Sequence, residues 1–220
     1  MTKNIISATN LTKIYRTLFD NITVFENMNI EIEQGSAVAI IGQSGRGKTT
    51  MLNILSGLDS PTSGEVIFDD KRIDNVNEEK LSEFRNKNVG FIFQHHYLLE
   101  DFTAFDNILI PLRIKGVNID EGIKSYAREL LDSVGLLNRQ SHYPDQLSGG
   151  ERQRIAIVRA LIHDPLVVFA DEPTGSLDKR NAENIEGLLW SLKDKFNKTF
   201  IIATHNMEIA SKCDKVIDLG

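Results

Sequence analysis

Several groups of residues in this 220-residue sequence have the types and spacing that phosphate chemistry needs. Gly42, Gly47, Lys48 and Thr49 fit the pattern G-x-x-x-x-G-K-[ST], between an apolar strand-like run and a helix-like segment, within residues 37–55 (AVAIIGQSGRGKTTMLNIL). Gly42, Gly45 and Gly47 lack the β-carbons that would keep successive N–H groups from converging on phosphate oxygens. Lys48 places a mobile ammonium on terminal phosphates and Thr49 offers a hydroxyl to Mg2+. The free N–H groups and dipole of the new helix add favourable potential for negative charge. A chance match is the competing explanation, so the rest of the chain has to supply the partners.

Asp171 and Glu172 follow the continuous apolar run LVVFA (166–170), where two adjacent carboxylates are hard to justify as packing. The first suits Mg2+, a hard cation that takes oxygen ligands; the second suits a general base or a water-orienting group. Gln94 directly follows the apolar run VGFIF (89–93), a place where open α/β sheets put ligand contacts, although a plain strand cap explains it equally well. His205 ends a third such run (199–203), beside where the phosphate would sit in a parallel sheet; a lone histidine is more often structural. Ser148, Gly149 and Gly150 in LSGGE (147–151) open a helix with exposed N–H groups, a second potential anion site far from the first in sequence.

The elements that must position these groups follow from periodicity. Residues 5–15 and 22–33 read as strands, and Met28, Ile30 and Ile32 alternate with polar residues as in a sheet with one wet face. Tyr15 lies between them as an ordinary strand aromatic on pattern alone. A helix is expected over 49–58, ending at Gly57, with a turn at DSPTSG (59–64), a strand at 65–68, a polar helix over 78–87 and the buried strand 89–93. From 95 to about 159 the character turns helical, with helices over 105–114 and 121–134, the latter N-capped by Asp120 and striped by Ile123, Tyr126, Ala127, Leu130, Leu131 and Val134. His95 and His96, with no ligand-type cluster nearby, read as surface residues. A core-striped helix over 179–195, a buried strand over 199–203, a short helix and a strand over 215–219 close the chain.

Composition narrows the function classes. A net charge of −6 argues against a general nucleic-acid binder. The single Cys213 excludes an intramolecular disulfide and any multi-cysteine zinc site. No apolar run reaches the roughly 18 to 20 residues that span a bilayer, and MTKNIISATN lacks the long apolar region of a signal peptide.

With these residues in place, the sequence resembles the nucleotide-binding subunits of ABC transporters over nearly its whole length. GQSGRGKT matches Walker A, Gln94 the Q-loop, LSGGE the signature, LVVFADE Walker B, Ser176-Leu177-Asp178 the D-loop, His205 the switch histidine and Tyr15 the aromatic that stacks on adenine. Within the family, GFIFQHHYLLEDFTAFDNILIPL, LSGGERQR and ADEPTGSLD are most similar to the group of ATPases that serve lipoprotein release, with drug and peptide exporter ATPases close behind.

The resemblance implies an α/β fold: a P-loop NTPase (RecA-like) core with an N-terminal antiparallel β subdomain (together about 1–94 and 160–220) and an inserted α-helical subdomain (about 95–159). It implies an ATPase using ATP and Mg2+, working as a homodimer on ATP binding with transmembrane permease subunits, peripheral on the cytoplasmic face of the inner membrane, and not with nucleic acid. Catalytic roles fall on Glu172, His205 and Lys48. Nucleotide contacts fall on Tyr15, Gly42, Ser44, Gly45, Arg46, Gly47, Lys48, Thr49, Thr50 and Gln94 in one copy and on Ser148, Gly149 and Gly150 of the other. Asp178 carries contact between the two sites, and Thr49, Gln94 and Asp171 serve the metal.

Three positions depart from the family pattern. Arg46 replaces a small residue, but the loop holds phosphate through backbone N–H groups, so binding is expected to survive. Glu151 replaces the more general Gln, which withdraws the expectation of a direct side-chain hydrogen bond to nucleotide. The chain stops at Asp218-Leu219-Gly220, where family members continue, as in a trimmed chain or a domain of a longer protein. A non-transport ABC protein would carry a long coiled-coil insertion or two ABC domains, and a simple phosphate-loop kinase leaves LSGGE and His205 unexplained.

Overall fold

The computed structural model describes residues 3–17 and 20–220. In chain order the elements are β1 (Asn4–Arg16), β2 (Asn21–Glu33), β3 (Ala37–Ile41), α1 (Lys48–Leu55), β4 (Ser63–Phe68), β5 (Lys71–Arg72), α2 (Glu78–Asn88), β6 (Val89–Ile92), α3 (Ala104–Ile114) and α4 (Glu121–Ser133). Two short 3-10 turns, Leu137–Arg139 and Pro144–Gln146, lead to α5 (Gly149–Leu161), β7 (Val167–Asp171), α6 (Lys179–Phe196), β8 (Thr199–Ala203), α7 (Met207–Ser211) and β9 (Lys215–Asp218). By compactness the chain divides into two units, Met1–Arg85 with Lys198–Gly220, and Asn86–Asn197.

In the first unit β2-β1-β4-β5 form an antiparallel sheet. Ile30 and Ile32 of β2 are buried while Asn29, Glu31 and Glu33 are not, so the sheet keeps the wet face its alternation predicts. A parallel set, β8-β3-β9, has β3 at its centre. Its apolar runs are continuous because both faces are covered: all of β8 and residues 37–40 of β3 are buried. The helix expected over 49–58 ends at Leu55. Gly57 turns left-handed (φ 75°) and the Leu58 N–H returns to the Asn53 carbonyl at 2.8 Å, which closes the helix C-terminus earlier than its apolar pattern does.

In the second unit β6 and β7 run parallel, with α5 packed against β6 and Ile155, Ala156, Ile157 and Val158 of the helix buried. Gly90 permits that approach: a Cβ there would lie 2.3 Å from the Ala160 carbonyl oxygen. Thr103, Asp120 and Ser148 each accept a backbone N–H as N-caps, so three helices begin where a short polar side chain satisfies an orphan donor. Buried Asn107 fastens the segment before α3. Its amide donates to the carbonyls of Leu99, Phe102 and Thr103 and accepts from the Leu99 N–H. Among the described residues no helix is long and apolar enough to cross a membrane.

Candidate active site

The first unit places the phosphate-loop residues at the carboxyl end of β3. Gly42, Gly45 and Gly47 all have positive φ (152°, 81° and 92°), and Gly47 is the left-handed residue from which α1 starts. The need for glycine is sharpest at Gly47, where a Cβ would lie 2.2 Å from Val24 Cγ1. Lys48, only 8% exposed, donates from Nζ to the carbonyls of Gly42 (2.8 Å) and Gln43 (3.3 Å). Its ammonium thus spans the loop it belongs to. Ser44, Gly45, Arg46 and Thr49 are exposed around it, and Thr50 is half-buried.

His205 belongs to the same edge. In the parallel register Ile40 pairs with Ala203, and the Thr204 N–H donates to the Ile40 carbonyl at 3.0 Å, so the next residues of the two strands, Gly42 and His205, emerge from neighbouring strand ends. Asn206 then caps α7 and holds the turn after the histidine.

Tyr15 closes this unit's set and is held more firmly than its pattern suggests. Its hydroxyl donates to Asp59 (3.0 Å), and the Lys13 ammonium lies 4.7 Å from the ring centroid while pairing with Asp59 at 2.8 Å. Burial pushes the Asp59 carboxyl up, but the hydrogen bonds from Lys13 and Tyr15 outweigh it and hold the group below the usual carboxylate range. The ring remains 42% exposed, with the ammonium over one face. Asp59→Asn is therefore expected to free the ring and, if Tyr15 stacks on adenine as the resemblance implies, to weaken ATP binding several-fold with kcat nearly unchanged, as measured by nucleotide titration beside steady-state kinetics. Equal losses in kcat would point to a wider disturbance.

The second unit brings Gln94, Asp171 and Glu172 to one edge. The pairs Phe91 with Phe169 and Ile92 with Ala170 continue outward to these residues. Glu172 is half-buried with φ 45°, left-handed backbone that a non-glycine residue adopts only at a cost of roughly 1 to 2 kcal/mol. The following turn folds back on Gln94: Ser176 donates to the Gln94 carbonyl (3.0 Å), and a Cβ on Gly175 would lie 3.1 Å from the Gln94 amide nitrogen.

Helix α5 holds both strand ends. Gln153, fully buried, donates to the Pro173 carbonyl at 2.7 Å and more weakly to that of Phe93. Arg159 donates to the carbonyls of His96 (2.6 Å) and Tyr97 (2.7 Å). His95 is exposed as expected. His96 is not a plain surface residue: it is half-buried, burial lowers its imidazole pKa, and Gly149, Arg152 and Arg159 surround it.

Ser148 caps α5 and forms a capping box with Glu151. The carboxylate accepts from the Ser148 N–H and hydroxyl, both at 2.8 Å, and from Arg139 Nε at 3.1 Å. These bonds, the backbone one first, hold Glu151 below the usual carboxylate range. Its contribution to stability is therefore complete above the ordinary glutamate pKa and is lost as pH falls through the lower folded value. Gly149 is exposed and Gly150 buried, with a Cβ on Gly150 meeting Asn181 Oδ1 at 3.0 Å. Asp178 caps α6, accepting from the Asn181 N–H (3.1 Å) and side-chain amide (2.6 Å).

Each unit thus gathers its own share of the candidate residues: Tyr15, residues 42–50 and His205 in the first, and Gln94, Ser148, Gly149, Gly150, Asp171, Glu172 and Asp178 in the second. The sequence did not point to Lys13, Asp59, Arg139 or Arg159. Gln153 carried a signal, a polar residue three and four positions before Ala156 and Ile157 on the buried face of α5. The Thr49 hydroxyl, the Gln94 amide and the Asp171 carboxylate each offer a hard oxygen of the kind Mg2+ takes. Among the described residues no cluster of three His, Cys, Asp or Glu could hold a metal by itself.

Residues 25–175 match the family model described as ABC transporter. The sequence is 45% identical to the lipoprotein-releasing system ATP-binding protein LolD of Treponema denticola, over 97% of this chain and 94% of that protein. For LolD of Bacteroides fragilis the figures are 46%, 91% and 93%, and for that of Francisella tularensis 46%, 98% and 93%. Among solved structures, the dimeric post-hydrolysis ATP-binding cassette MJ0796, bound to ADP and Pi, superposes with a TM-score of 0.87 at 36% identity, over 97% of this chain and 93% of that one.

Proposed function

The chain belongs to the ABC transporter family, and from that membership we propose that it is the ATP-hydrolysing subunit of a transporter releasing lipoproteins from the inner membrane. The observation that carries this reading is the near-complete two-way coverage of its similarity to lipoprotein-releasing ATP-binding proteins. The test is depletion of the chain in its own cells followed by membrane fractionation. Lipoproteins should accumulate in the inner membrane; unchanged sorting, with an unrelated solute retained instead, would overturn the assignment in favour of an exporter.

In the mechanism, two copies meet head to tail and each ATP lies between the phosphate loop of one and Ser148, Gly149 and Gly150 of the other. The dimeric, nucleotide-bound relative supports that arrangement. Tyr15 stacks on the adenine. The loop N–H groups hold the β- and γ-phosphates, and Lys48 exchanges its two carbonyl acceptors for phosphate oxygens. Thr49, Gln94 and Asp171 would hold Mg2+ directly or through water, and the bound ion would supply charge neutralisation on the phosphates. Glu172 polarises the attacking water and His205 contacts the γ-phosphate. Asp178, at the start of α6, carries contact between the two sites. Phosphoryl transfer depends on positioning and charge stabilisation, so neither copy hydrolyses well alone.

Coupling to the membrane runs through the segment after Gln94. Tyr97, Leu99, Phe102 and Ile114 are exposed there, Ile114 at 72%, which supports docking of permease subunits on this face and a peripheral place at the cytoplasmic side of the inner membrane. The Arg159 bonds to the His96 and Tyr97 carbonyls tie that segment to the signature helix.

A further inference from the structure

The signature turn contains an electrostatic conflict. The start of α5, with the N–H groups of Gly149 and Gly150 and the positive end of the helix dipole, favours an anion. Yet the third residue of the helix, Glu151, is itself an anion at that end. In the mechanism above the same turn must receive the triphosphate held by a second copy, and like charges brought together across an interface cost several kcal/mol.

The structure shows how the carboxylate is occupied. One oxygen accepts both the Ser148 N–H and hydroxyl at 2.8 Å. The other accepts from Arg139 Nε at 3.1 Å, with the carboxylate side chain 18% exposed and the guanidinium side chain 42% exposed. Arg139 ends the 3-10 turn Leu137–Arg139, and its Nη1 lies 3.2 Å from His142 Nε2, so a second contact orients the guanidinium. A neutral glutamine at position 151 would call for no such cation.

We infer that Arg139 is a positioning residue that balances the charge of Glu151 and so makes the Ser148–Gly150 turn neutral enough to close on the triphosphate of a second copy. The inference rests on the proposed head-to-tail dimer. It assigns Arg139 no contact with nucleotide: Arg139 acts through Glu151.

The test is a charge cycle in the hydrolysis-impaired Glu172→Gln chain, with ATP-driven dimerisation followed by sedimentation. Arg139→Gln should weaken dimerisation roughly 10- to 100-fold, with a defect that shrinks as salt rises. Glu151→Gln should dimerise as well as the parent or better, and the double variant should return to within about threefold of the parent. A double variant as weak as Arg139→Gln alone would overturn the inference, because a merely structural tie, or a direct contact of Arg139 with nucleotide, is not repaired by removing the carboxylate. An Arg139→Gln chain that dimerises normally would also overturn it.

Thermal melting and ATP binding by the separate chains show whether each variant is folded. Should Arg139→Gln unfold, Arg139→Lys takes its place: it keeps the charge, so dimerisation near the parent's supports the inference and full loss overturns it. If the parent itself does not dimerise with ATP while binding it normally, the head-to-tail reading fails and this inference falls with it. That outcome is recognisable because all four chains then behave alike.

Discussion

Glu172→Gln should bind ATP as the unchanged chain does, form a stable ATP-bound dimer, and turn ATP over roughly 10^2- to 10^4-fold more slowly. The substitution keeps the size and one oxygen of the side chain and exchanges the other oxygen, with its charge and basicity, for an amide NH2. Backbone strain at this position (φ 45°) is the same for glutamine as for glutamate, so stability is expected to hold and the lost rate cannot be put down to unfolding. Single-turnover hydrolysis beside nucleotide titration separates the two quantities. Hydrolysis at the normal rate would show that another group activates water, and the assignment of Glu172 as general base would be wrong.

Gly47→Ala should all but abolish nucleotide binding, by roughly 100-fold or more, whereas Gly45→Ala should cost only a few-fold. Both glycines have positive φ, 92° and 81°, so alanine adds about 1 to 2 kcal/mol of backbone strain at either. Only at Gly47 does the new methyl collide, 2.2 Å from Val24 Cγ1; around Gly45 the space is open. The collision must push the loop or β2 aside, and misplacement of about 1 Å costs on the order of 10^2 in a positioned site. Val24→Ala should then recover part of the binding lost in Gly47→Ala. Equal losses at the two glycines, or no recovery, would show that the dihedral angle and not the contact with β2 limits the loop.

How much of this was readable from the sequence depended on how local each cause is. Strands β3, β7 and β8 were legible because a parallel strand covered on both faces needs an unbroken apolar run, and 37–41, 166–170 and 200–203 supply one. Asp120 was legible as a cap because a cap and its N–H partner lie three residues apart; Ser148 was not, since its helix start was expected to leave its N–H groups exposed and instead its hydroxyl accepts the Glu151 N–H. The hydrogen bond that orients Tyr15 reaches 44 residues along the chain, to an aspartate that looks in sequence like any turn residue. Arg139 and Glu151 are separated by a second 3-10 turn, Pro144–Gln146, and no periodicity links them. The same holds for Arg159, whose carbonyl partners lie 62 and 63 residues away. Residue types and short spacings point to the chemistry; the supports that aim it are long-range and exist only in the folded chain.

The left-handed backbone at Glu172 has a corollary. Glycine is the residue that relaxes best into such a conformation, so the backbone of this turn would be under less strain with glycine in place of the glutamate. On the proposed mechanism, the glutamate there trades backbone ease for chemistry.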